Sequence, residues 1–73
     1  MKIELGNVGL GELFSYDESV FAVLPFDFLA NQYLNICLYS ANGEYDKGSE
    51  YWFNENTIVD SIPLAKVKKL LDK

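Results

Sequence analysis

Large apolar residues alternate with other residues along most of this chain, a period of two that predicts half-buried β-strands. The clearest instance runs from Tyr33 to Phe53. YLNICLY alternates, Asn42-Gly43 supplies a bend, and SEYWF returns with three aromatics in a row. Asn-Gly between apolar runs is the strongest short-range hairpin signal, because both central residues of the tight turn need φ > 0. Leu34, Ile36 and Leu38 then share one face, and Tyr33, Asn35, Cys37 and Tyr39 the other. A plain two-residue turn sets Tyr33 opposite Trp52, Leu34 opposite Tyr51 and Asn35 opposite Glu50. An interruption at Asp46-Lys47-Gly48 allows a bulge there, and a slip of one residue swaps the faces and moves Trp52 between partner side and core.

Other runs follow the same period. Ile3 and Leu5 alternate with Lys2 and Glu4 in a short first strand over residues 1–5. GNVGLGE is a glycine-marked loop that lets Leu10 and Leu13 reach the core. Its spacing resembles a phosphate loop, but no Lys-Ser/Thr closes it and no βαβ pattern surrounds it. ELFSY (12–16) and SVFAVL (19–24) form a second hairpin about Asp17-Glu18, and Pro25 ends its second strand by removing a ladder donor. PFDFLANQ reads as an aromatic loop over an open barrel end. TIVDSI (57–62) is a further strand.

Beyond Pro63 the period changes. Leu64, Val67, Leu70 and Leu71 recur at helical spacing, and proline suits a first helical turn. The spacing predicts a short helix over 63–72 that must pack on the sheet, with an edge strand over 67–71 as the competing reading. Together these elements predict a mainly β chain: a small antiparallel barrel, or a strongly bent sheet, of roughly four to six strands.

Size and charge narrow the picture. The 73 residues make one domain. Such a small domain buries only about 60% of its unfolded surface, which makes oligomerisation a natural supplement. A single cysteine, Cys37, excludes an internal disulfide. No signal-like or membrane-spanning run of about 18 apolar residues occurs, so the expectation is a cytoplasmic protein. Between Ile3 and Ala65 ten acids face the single Lys47, while Lys66, Lys68, Lys69 and Lys73 crowd the last eight residues. An acidic body repels phosphate, which disfavours nucleic acid and favours a partner with a basic surface.

Catalytic chemistry is poorly supplied. The chain has no histidine, which removes Ser-His-Asp and Cys-His catalysis and the usual zinc ligand sets. Cys37 sits mid-strand with no activating base. The acids fall at turns, without the spacing of a calcium loop. No cofactor and no enzymatic role is expected. Tyr33, Tyr39, Tyr45, Asp46, Glu50 and Trp52 on the central hairpin instead make an acidic aromatic cluster, and Tyr and Trp are enriched at binding hot spots.

Gly11, Phe14, Tyr16, Asp17, Phe21, Asn42-Gly43, Tyr51, Phe53, Asn54, Thr57 and Val59 together resemble the frame of small bacteriophage-encoded SH3-like barrel proteins. The resemblance covers residues 3–62 and departs from the pattern at Asp46 to Gly48 and in the lysine-rich end. It implies an accessory role in the host cytoplasm and carries no catalytic residue. The expectation is a module that binds or inhibits a host protein. The alternatives are an oligomeric binder of a nucleotide-like small molecule and a virion component.

Overall fold

Six short strands pair into one antiparallel sheet in the computed structural model, which describes residues 2–62. They are β1 (Lys2–Glu4), β2 (Leu13–Tyr16), β3 (Ser19–Val23), β4 (Tyr33–Ser40), β5 (Glu50–Phe53) and β6 (Ile58–Ile62). Their order in the sheet is β1-β6-β2-β3-β4-β5. The two end strands, β1 and β5, are not neighbours, so the sheet is open and the expected barrel is not closed. The helix predicted over 63–72, like the competing strand, lies outside the described residues.

The open sheet is nevertheless curled. β2 and β5 are three strand spacings apart, about 14 Å in a flat sheet. Yet the rings of Tyr16 and Phe53 stand 5.3 Å apart, and those of Phe14 and Phe53 stand 6.4 Å apart. Aromatic side chains on one face have drawn the sheet around themselves. That inner face holds Phe14, Phe21, Val23, Cys37 and Val59, all buried, with Phe53, Tyr51 and Tyr45 packed against them. Phe21 is the hub, stacked on Phe14 at 5.4 Å and meeting Tyr45, Tyr51 and Phe53 edge-on. Edge-to-face pairs of this kind add about 0.5–1.5 kcal/mol each beyond buried area.

The N-terminal loop fills the core differently from the sequence expectation. Leu10 is exposed and Leu13 lies on the outer face; Leu5 and Val8 take the buried places. A single 3-10 turn, Leu5–Asn7, directs them inward. It is pinned across the sheet by Leu5 N–H donating to Thr57 O and Gly6 N–H donating to Glu55 O.

Of the two predicted hairpins, the one about Asp17-Glu18 has its two-residue bend and the one about Asn42-Gly43 does not. Asp17 and Glu18 both adopt positive φ, 50° and 58°, and Tyr16 faces Ser19 directly. This is the tight I′-type turn, built from two acids. Asn42-Gly43, the stronger local signal, forms no such turn. It lies within residues 41–49, a long connection between β4 and β5. The reason is where the Asn42 side chain goes. Its Oδ1 accepts from Ser40 Oγ and Glu44 N–H, and its Nδ2 donates to Asp17 O at 3.1 Å. Asn42 ties this connection to the neighbouring hairpin.

The longer connection shifts the register by one residue. Tyr33 faces Phe53, Leu34 faces Trp52, Asn35 faces Tyr51 and Ile36 faces Glu50. Tyr51 and Phe53 therefore turn inward with Tyr33, Asn35 and Cys37, and Trp52 turns outward.

Candidate functional site

The outer face of the sheet is unusual for a solvated surface. One row of directly paired residues crosses it from β6 to β5: Ile62, Leu13, Ala22, Ile36 and Glu50. A second row sets Leu34 beside Trp52. The ladder between β3 and β4 shifts after Val20, leaving Leu38 as an extra residue, so Val20 pairs with Tyr39. A bulge of this kind changes which side chains share a face. Tyr39 thereby joins Val20 and Ala22 on the outer side, against the alternation along YLNICLY.

One corner of this face projects large apolar groups into water. Between β3 and β4, residues 25–32 form a tip closed by paired Asp27 and Gln32. Phe28 and Leu29 at the tip are 86% and 101% exposed, and Trp52 beside it is 52% exposed. Asp27 organises the corner. Its Oδ1 accepts from the main-chain N–H of Leu29 (3.0 Å) and Ala30 (3.2 Å), and its Oδ2 accepts from Trp52 Nε1 at 3.0 Å. The Trp52 indole donor first and the Ala30 amide next, with a lesser share from the Leu29 amide, hold the Asp27 carboxyl below its ordinary pKa against the opposing effect of burial. Phe26 anchors the tip from beneath, edge-on to Tyr33 at 4.8 Å and to Phe28 at 5.0 Å. The tip is not a cover over a barrel end, because two of its apolar side chains point away from the molecule.

The six residues of the predicted acidic aromatic cluster divide. Tyr39, Glu50 and Trp52 share the outer face, with Tyr39 60% exposed. Tyr33 and Tyr45 instead pack against the core. Burial, ahead of the nearby Asp17 carboxylate, pushes the Tyr45 hydroxyl pKa up. Asp46 stands in the 41–49 connection, where its main-chain N–H donates to Tyr51 Oη at 2.7 Å. Asp27, Phe28 and Leu29 were not in the predicted cluster. An aspartate followed by an apolar pair inside a polar-flanked loop was the available signal, since Asx side chains bond main-chain amides two residues on.

Cys37 is fully buried, and that burial raises its thiol pKa, the opposite of what a nucleophile needs. Among the described residues no three Cys, Asp or Glu side chains gather as a metal would require. Two open depressions, one beside Asn7 and Leu13 and one beside Ser15 and Asp60, are lined by neither Trp52 nor Tyr51. No helix among the described residues is long and apolar enough to cross a membrane. Comparison with protein-family models, with curated proteins and with solved structures finds no match.

Proposed function

We propose that the chain is a non-enzymatic binding module that engages a protein partner through Trp52, Phe28 and Leu29, with Glu50 on the same outer face. The observation that carries this reading is the corner itself. Two large apolar side chains stand almost wholly in water on a tip that Asp27 braces from three donors. Free loops bury such groups or let them move; a braced tip loses little conformational freedom on binding, which favours affinity. Tryptophan and aromatic anchors entering a pocket dominate interface energies.

The partner this surface fits has an apolar pocket with a basic rim. Asp27 and Glu50 flank the exposed rings, and the described residues carry ten acids against Lys2 and Lys47. Such charge steers a basic surface toward the corner and repels nucleic acid and anionic membrane. The resemblance to phage-encoded SH3-like proteins extends the proposal to a host cytoplasmic protein that the module blocks.

The test is binding to a partner captured with the intact protein and then purified. Trp52→Ala and Phe28→Ala should each weaken the measured affinity by about 1–2 kcal/mol, roughly five- to thirtyfold. Unchanged affinity for both variants removes the corner as the binding site.

A further inference from the structure

Of the six asparagines in the chain, Asn42 alone is followed by glycine. Asparagine amides are chemically labile, and most so in that setting, because glycine has no side chain to shield its main-chain nitrogen. Asn42 and Gly43 are both exposed, and Gly43, at φ +72°, has open space where a Cβ would stand. Water and base therefore reach the pair. We propose that Asn42 is a self-modification site that the native fold holds shut, converting to aspartate or isoaspartate only when the 41–49 connection opens.

The chemistry needs nothing but water. Gly43 N gives its proton to solvent and attacks Asn42 Cγ, and the new N–Cγ bond closes a succinimide ring. The Cγ–Nδ2 bond breaks, and its nitrogen takes up a proton and leaves as ammonia. A water molecule then opens the ring at either carbonyl, which gives the two acidic products.

Attack requires the side-chain amide to turn so that Cγ meets Gly43 N face-on. Both polar atoms of that amide are tied instead. Oδ1 accepts from Ser40 Oγ at 3.0 Å and from Glu44 N–H at 3.0 Å, and Nδ2 donates to Asp17 O at 3.1 Å. A main-chain N–H only donates and a carbonyl only accepts, so these partners fix which end of the amide is which. Ser40 is itself held by the buried Ser19, whose Oγ donates to Ser40 Oγ at 2.9 Å. The lock therefore runs from the β2–β3 hairpin, through Asp17 and Ser19, into the connection. Two donors on Oδ1 also have an opposite chemical effect, since they stabilise an oxyanion at that atom. Restraint wins because Nδ2, the leaving group, is anchored on another hairpin, and the amide cannot turn without breaking that bond. Conversion removes the Nδ2 donor and sets a carboxylate oxygen against Asp17 O, so the tie between the hairpins does not reform. The inference does not depend on the partner reading, because it concerns the chain alone.

Peptide mass spectrometry tests it on the intact protein, incubated in mildly alkaline buffer either native or unfolded in guanidinium. Conversion at Asn42 should be at least about tenfold slower in the native protein, where only the locally open fraction reacts. Ser40→Ala should raise the native rate several-fold, leaving the rate in guanidinium and the amide-exchange protection of β2 and β3 unchanged. Asn42→Asp, which carries the side chain of one product, should unfold at a lower denaturant midpoint than the wild type. Equal rates in the native and unfolded protein overturn the proposal. So does a Ser40→Ala variant that converts no faster, or an Asn42→Asp variant as stable as the wild type.

Discussion

Asp27 is the residue on which the exposed corner turns, and its protonation state is the most accessible readout of that role. Its carboxylate accepts from the Trp52 indole and two main-chain amides, so its folded pKa is lowered. Stability from these bonds is therefore present above the ordinary aspartate pKa and is lost as pH falls through the lowered one. Trp52→Phe keeps a ring but removes the leading donor. A carboxyl titration followed by NMR should show the Asp27 pKa rising toward its ordinary value in that variant; an unchanged titration would mean that the indole bond does not hold the carboxylate. The sequence reveals Trp52 as a large group on a strand, but not which way it faces. One residue of register decides that, and the register depends on a side chain, Asn42, bonding to Asp17 O in the neighbouring hairpin.

Among the elements, the hairpins show where local signals hold and where tertiary contacts override them. Period-two alternation marks β2, β3, β4 and β6 to within a residue or two of their observed limits, because each buries one face against the aromatic core. Turn chemistry finds the bend at Asp17-Glu18 but also assigns a tight turn to Asn42-Gly43 that the chain does not form. Asp17 and Glu18 adopt positive φ although neither is glycine, and Ala41 N–H and Asn42 Nδ2 donate to their carbonyls. Those bonds hold a backbone that L-residues resist by about 1–2 kcal/mol each. Glu18→Gly should therefore stabilise the fold by about 0.5–1 kcal/mol, the relief of strain outweighing the added freedom of the unfolded chain. Chemical denaturation measures this directly, and a lower midpoint in the variant would show that the turn is not strained. The bulge at Leu38 left no mark in the alternation, so Tyr39 is assigned to the wrong face by sequence alone.

At the scale of the whole molecule, the chain is an open, curled sheet whose aromatic content is spent twice. Phe14, Phe21, Tyr45, Tyr51 and Phe53 close a core that a sheet this short would otherwise lack. Phe28 and Trp52 stand outside it, beside Leu29, over an acidic surface. The mainly β, antiparallel character was legible because alternation is a local property. The missing closure was not, because it depends on whether the two end strands, β1 and β5, meet. The acidic aromatic cluster was legible as composition and only half so as geometry: Trp52, Tyr39 and Glu50 share a face, while Tyr33 and Tyr45 serve the core. The central claim is that the corner formed by Phe28, Leu29 and Trp52 is where a protein partner sits. The most direct measurement places the photo-crosslinking residue p-benzoylphenylalanine at position 28 and, as a control, at exposed Asn56 in the turn before β6. Irradiation in the cells that make the protein should give a discrete protein adduct from position 28 and none from position 56; no adduct at position 28, or the same adduct from both sites, would contradict the account.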